Sequence, residues 1–196
     1  HSKVFMNFPS REKFNMVEWS EDLDLDEFYQ EASKRGFENN SNRKILFDCF
    51  EKERQKSVWM LYYNNKPVGS VAAHSLDILG ENAFRICART CVFTDMIPIS
   101  HMRTRRKTIQ EHQNVTAQFY IPKCIEWAGP NANLYISTNE SPVASQRLVH
   151  KIYCPALMET GAIETSQQIF YRGHEQTFWK LNTGVFLEQL DKFGRW

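Results

Sequence analysis

Residues 57–76 read SVWMLYYNNKPVGSVAAHSL, and residues 83–94 read AFRICARTCVFT. In the first stretch, Ser57 to Tyr63 is dense in aromatic and branched residues, Asn64-Asn65-Lys66 is a polar turn, and Val68 to Leu76 is a second apolar run. Two such runs joined by an Asn-rich turn predict an antiparallel hairpin. The second stretch follows the turn Gly80-Glu81-Asn82 and predicts a third strand, Ala83 to Thr94, paired with that hairpin. Side chains alternate across a strand, so Arg85, Cys87, Arg89, Cys91 and Phe93 share one face. Ile86, Ala88, Thr90 and Val92 make up the other face, which is the core-like one.

Towards the N-terminus, Asn15 to Trp19 is a strand candidate, and Asp24-Leu25-Asp26-Glu27 carries a capping carboxylate with Glu three residues later, a helix-start signature. That helix is expected to stop at Gly36. A second is expected from Ser41, with Ile45, Leu46, Cys49 and Phe50 on one face, ending before Ser57. Towards the C-terminus, the basic stretch from His101 to Lys107 precedes a helix from Ile109 to Ala128, terminated by Gly129-Pro130 and kinked or broken at Pro122. Leu134 to Ser137 is a short strand, and Ser141-Pro142 opens a helix towards Gly161 that Pro155 interrupts. Ala162 to Tyr171 and Glu175 to Leu181 flank Arg172-Gly173-His174 as a closing hairpin, and Phe186, Leu190 and Phe193 mark a C-terminal helix. The class is α+β, with a mixed, mostly antiparallel sheet flanked by helices.

The 196 residues suit one core, and no repeat, low-complexity tract or Gly/Ser/Pro-rich linker divides them. A single domain over residues 3–196 is expected, with His1 and Ser2 set aside as a purification remnant. Charged residues make up 24% and apolar ones 42%, with 24 Lys+Arg nearly cancelled by 23 Asp+Glu. That balance excludes intrinsic disorder and a globally cationic nucleic-acid binder, so any polyanion site must be local. Apolar runs such as Val58 to Tyr63 are far shorter than the roughly 18 residues of a membrane helix, and no basic-then-apolar leader pattern opens the chain. A soluble protein with no membrane partner is expected.

Cys49, Cys87, Cys91, Cys124 and Cys154 are odd in number, with no C-x-x-C pair, which predicts a reducing, cytoplasmic setting. Arg85 and Arg89 alternate with Cys87 and Cys91, but no His completes a Cys–His arrangement, so these thiols read as small buried hydrophobes. His101 and His112 stand on different elements, and no metal site is expected.

Strand, two helices, three strands in antiparallel hairpins, helix, short strand, helix and closing hairpin: this order, from about Asn15 to Leu181, resembles the GNAT superfamily of acyl-CoA-dependent N-acetyltransferases. The resemblance implies a central strand that splays from its neighbour. Freed backbone groups there bind the pantetheine arm, and the next helix start holds the pyrophosphate through its N–H groups and dipole. It implies acetyl-CoA, or another acyl-CoA, as co-substrate and a small-molecule or peptide amine as acceptor. A backbone N–H near Asp95 to Ile97 would take the thioester carbonyl oxygen, which makes Met96 and Ile97 cofactor contacts. Asn139, after the short strand, would hold the cofactor, and Tyr153, in the next helix, would protonate the departing thiolate. Counted back from Gly161, Leu157 stands where the family tyrosine falls, one turn beyond Tyr153. His74 and Asp95 are the candidate acceptors of the amine proton.

The sequence departs from the family at the phosphate loop, because no glycine lies between Glu81 and Gly129. Arg103, Arg105, Arg106 and Lys107 occupy that region, and their side chains would replace part of the backbone cradle by charge-assisted contacts. Two other readings fit the same residues. The basic cluster would also suit a nucleic-acid-associated or base-modifying protein of this fold, which the near-neutral charge disfavours. The missing glycines would also suit a binding module that kept the fold without catalysis.

Overall fold

The computed structural model describes residues 11–34, 53–86, 91–93, 96–97, 115–142 and 144–193. In chain order its main elements are β1 (Phe14–Glu18), α1 (Asp26–Lys34), β2 (Lys56–Tyr63), β3 (Lys66–Ser75), β4 (Ala83–Ile86) and β5 (Cys91–Val92). A π-helical turn (Thr116–Tyr120) follows and leads into α2 (Ile121–Ala128). Then come β6 (Asn133–Thr138), α3 (Ala144–Leu148), a second π-helical turn (Val149–Tyr153), α4 (Cys154–Glu159), β7 (Ile163–Tyr171), β8 (His174–Leu181) and α5 (Thr183–Phe193). The helix expected from Ser41 and the basic stretch from His101 to Lys107 lie outside the described residues. No described helix is long and apolar enough to cross a membrane.

The chain divides into two compact units. The first contains β1, β2, β3, β5, α1 and the first π turn. β1 pairs antiparallel with β2, and β2 with β3. Asn64 and Asn65 join β2 to β3 with φ of 50° and 65°, a two-residue turn with both centres left-handed, where Asn is among the few side chains tolerated. The ladder then skips a residue, since Leu61 faces Gly69 while Tyr62 faces Pro67. Pro67 has no N–H to offer a ladder, which suits this irregularity. Val68, the extra residue, gives its carbonyl to the Phe93 N–H at 2.6 Å. Rings make up much of the core: Phe14 lies 4.8 Å from Tyr63 and 4.5 Å from Phe119, and Phe28 stacks on Phe93 at 5.0 Å. Each buried ring contributes about 1.5–3 kcal/mol, so this cluster holds the unit together.

The second unit contains β4, β6, β8 and β7, side by side in that order, with α2, α3, α4 and α5. β4 runs parallel to β6, and the β6–β8 and β8–β7 pairs are antiparallel. The parallel pair needs a crossover, which the chain through α2 supplies and the Asn133 N–H to Asn82 carbonyl bond (2.8 Å) closes. Phe84 meets Trp127 of α2 edge to face at 5.2 Å. Leu76, Ala83, Tyr135 and Phe178 form a buried cluster, with Leu79, Ile169 and Tyr171 against it. The β7–β8 hairpin turns on Arg172 (φ 53°) and Gly173 (φ 87°), as its sequence predicts. Asn182 caps α5, its Oδ1 accepting from the Val185 N–H at 3.2 Å.

One expectation needs correction. The alternation predicts for the strand from Ala83 a core-like face carrying Ile86 and a second face carrying Arg85. All four residues of β4 are buried, Arg85 to 3% exposure, so both faces are covered. Its charge is accommodated by a bond from Nε to Ser137 Oγ (2.7 Å) and by the Tyr171 ring, whose centroid lies 5.2 Å from the guanidinium carbon.

The prolines, expected to kink or break their helices, sit just past π turns. Pro122 follows Thr116–Tyr120 and Pro155 follows Val149–Tyr153, each two residues after the turn's last residue. A proline ring lacks an N–H and collides with the carbonyl four residues back, and a π turn widens the coil there and relieves both problems. Helical winding therefore resumes directly as α2 and α4.

Cys154, at the start of α4, is 1% exposed and burial pushes its thiol up from 9.0 to about 12. In the unfolded chain the same thiol ionises near its ordinary value, so unfolding releases a proton only above about pH 9. Stability from this residue is complete below pH 9 and falls as pH rises towards about 12, by about 1.4 kcal/mol per unit. The expected result is a smaller alkaline loss of stability in Cys154→Ala than in the wild type, read from urea unfolding between pH 8.5 and 10.5 as an approximate window. Superimposable pH profiles would rule it out.

Candidate active site

The polar groups best placed for chemistry gather where β6 ends. Among the described residues, β6 is paired with β4 as far as Ile136 and with β8 as far as Thr138. Ser137 and Thr138 carry hydroxyls at this end. The Ser137 hydroxyl accepts from buried Arg85. The Thr138 hydroxyl accepts from Trp179 Nε1 at 2.7 Å and stands 2.8 Å from His150 Nδ1. The His150 ring is set edge to face against Trp179, with centroids 6.4 Å apart.

Asn139 is the next residue along, and it is half-buried, as is Tyr153. Among the described residues neither the Asn139 amide nor the Tyr153 hydroxyl has a hydrogen-bond partner, and the only one His150 has is Thr138. Half-buried polar groups that the fold leaves unsatisfied are groups a ligand can satisfy. Tyr153 closes the second π turn, and such turns occur often at functional sites because they re-aim side chains within a helix.

The other site residues read from the sequence fall elsewhere. His74, near the end of β3 in the first unit, is 0% exposed, with Nδ1 3.9 Å from Glu53 Oε1. That is the setting of a packed histidine rather than one open to an incoming amine. Met96 is half-buried in a groove lined by Glu27, Phe28, Glu31, Lys66 and Pro67, and its N–H is bonded to the Phe93 carbonyl at 3.0 Å. Ile97 is fully buried. Asp95, Arg103, Arg105, Arg106 and Lys107 lie outside the described residues. Among the described residues no group of His, Cys, Asp and Glu is placed to hold a metal.

Three residues at the end of β6 escaped the sequence reading: Thr138, His150 and Trp179. The available signal was a histidine three residues before Tyr153 in the helix opened by Ser141-Pro142. Nothing in the local sequence pairs that histidine with a threonine 12 residues back or a tryptophan on a later strand.

Comparison with solved structures settles the architecture. An aminoglycoside acetyltransferase, AAC(6')-Ib, in complex with paromomycin and acetyl-CoA, superposes with a TM-score of 0.52, at 12% identity, over 89% of this chain and 96% of that one. The fold is that of the GNAT acyltransferases. The same enzyme with coenzyme A and kanamycin gives a TM-score of 0.50, at 12% identity, over 89% of this chain and 98% of that one. No protein-family model matches the sequence, and no curated protein does. The mixed sheet, with β4 parallel to β6 and antiparallel hairpins elsewhere, is thus this fold built from very different residues.

Proposed function

We propose that the protein is an acyl-CoA-dependent N-acyltransferase that moves an acetyl group, or another short acyl group, to an amine. The observation that carries this reading is the pair of unsatisfied polar groups, Asn139 and Tyr153, beyond the parallel strand of a GNAT fold. The reaction needs a neutral amine, a polarised thioester carbonyl and a proton for the leaving sulfur. Asn139 would hold an amide of the pantetheine arm. Tyr153 would give its phenolic proton to the sulfur as the C–S bond breaks and the amine nitrogen bonds to the acyl carbon. Asp95 remains the proposed acceptor of the amine proton. Arg103, Arg105, Arg106 and Lys107 are proposed to grip the phosphates, in a segment without the glycines of the usual loop. AAC(6')-Ib was solved with kanamycin and with paromomycin, so polyamine sugars are reasonable first acceptors to try.

Thermal shift with acetyl-CoA tests the reading. A ligand held only by the folded state stabilises by about 2.7 kcal/mol at a hundred times its Kd, so the melting temperature is expected to rise. Arg105→Ala with Arg106→Ala is expected to weaken that rise, with the ligand-free melting temperature of the double variant as the fold check. A flat response of the wild type at millimolar acetyl-CoA would end the proposal.

A further inference from the structure

His150 is the group at the end of β6 that the proposed chemistry does not use, and its hydrogen bonds define what it can do. Trp179 Nε1 is only a donor, so the Thr138 oxygen receives that bond with one lone pair and keeps a second lone pair and its own proton. Among the described residues the group within reach of that proton is His150 Nδ1, 2.8 Å away. Neutral imidazole carries one proton, so with Nδ1 accepting, the proton sits on Nε2. Thr138 donating to Nδ1 corresponds to the Nε2–H tautomer, and the edge-to-face contact with Trp179 holds the ring. His150 Nε2 has no partner among the described residues, and the side chain keeps partial access to solvent.

We infer that Thr138 donates to Nδ1 and that His150 thereby presents an Nε2–H to a carbonyl oxygen of the acyl-CoA co-substrate, as a hydrogen-bond donor rather than as the base that deprotonates the amine. A base needs a lone pair on its accessible nitrogen, and here the lone pair is turned inward to Thr138. The placement suits a ligand that also meets Asn139, because Thr138 is the residue directly before it, and Tyr153 is less than one turn further along the helix. The partner chemistry is a carbonyl oxygen, from either a pantetheine amide or the thioester itself. The inference rests on the acyltransferase reading, and its test separates the two.

Binding of CoA and of acetyl-CoA is measured by calorimetry for wild type, His150→Ala and His150→Gln, with the melting temperature of each as a fold check. His150→Ala is expected to bind roughly tenfold more weakly, the size of one neutral hydrogen bond. His150→Gln, whose amide N–H reaches about as far, is expected to stay within about threefold of wild type. An equal loss on both ligands assigns the oxygen to the pantetheine arm, and a loss on acetyl-CoA alone assigns it to the thioester. Nitrogen-15 spectra of the wild-type imidazole are expected to show Nε2 protonated and Nδ1 not, and Thr138→Val is expected to mix the tautomers. Wild type that binds both ligands while His150→Ala binds them equally well overturns the donor role. An Nδ1-protonated ring overturns the tautomer argument. Wild type that binds neither ligand removes the acyltransferase reading, and this inference falls with it.

Discussion

Tyr153→Phe is expected to slow acyl transfer from acetyl-CoA by about a hundredfold in kcat, with the Kd for acetyl-CoA unchanged. The size follows from what a positioned proton donor contributes, about 10²–10⁴ in rate. The split between kcat and Kd follows from timing: the phenolic proton is needed as sulfur leaves and has little to do while the thioester is intact. Stability should not change, because among the described residues the hydroxyl has no partner to lose and the ring stays. The assay is thiol release from acetyl-CoA in the presence of an amine such as kanamycin, beside a calorimetric Kd. A variant that turns over within threefold of wild type would transfer the acid role to another group. Leu157, the other position reached by counting from Gly161, has no proton to give, so the donor would have to be sought off this helix.

Phe178→Ala should produce the largest loss of stability. Phe178 is 0% exposed on β8, paired with Ser137 on one side and Gln167 on the other, and its ring lies 5.8 Å from that of Tyr171. It also closes the cluster of Leu76, Ala83 and Tyr135. Removing a buried phenyl ring costs about 3–5 kcal/mol, from lost transfer energy and from the cavity left behind. Against the typical 5–15 kcal/mol of a folded domain, that is a large share. Urea unfolding is expected to show a strongly lowered midpoint with an unchanged slope. Phe170→Ala is the control: this ring is 74% exposed on β7, and its loss is expected to shift stability by no more than about 0.5 kcal/mol. Equal effects from the two substitutions would mean that the assigned core is wrong.

Both hairpins were legible in the linear sequence because their turns are local. Asn64, Asn65 and Gly173 tolerate positive φ, and the flanking runs have strand chemistry, so a dozen neighbouring residues carry the whole signal. Tyr153 and Asn139 were legible only through the resemblance in element order, which places residues by position along the chain. The burial of Arg85 was not legible for a physical reason. Alternation assigns one face of a strand to solvent when a single side is packed, and β4 is packed on both. The guanidinium's partners, Ser137 and Tyr171, lie far along the chain and cannot be read from its neighbourhood.

By itself, the sequence determined the α+β class, the hairpins, the sites where proline disturbs two helices, and the order of elements that matches an acyltransferase fold. These depend on backbone preferences and hydrophobic spacing, which act between residues close along the chain. Tertiary structure alone decided that the prolines are absorbed by π turns, that Arg85 is buried, and that Trp179, Thr138 and His150 join into one hydrogen-bond chain. Each of these depends on what packs against a side chain from a distant segment, and that information exists only once the strands are paired.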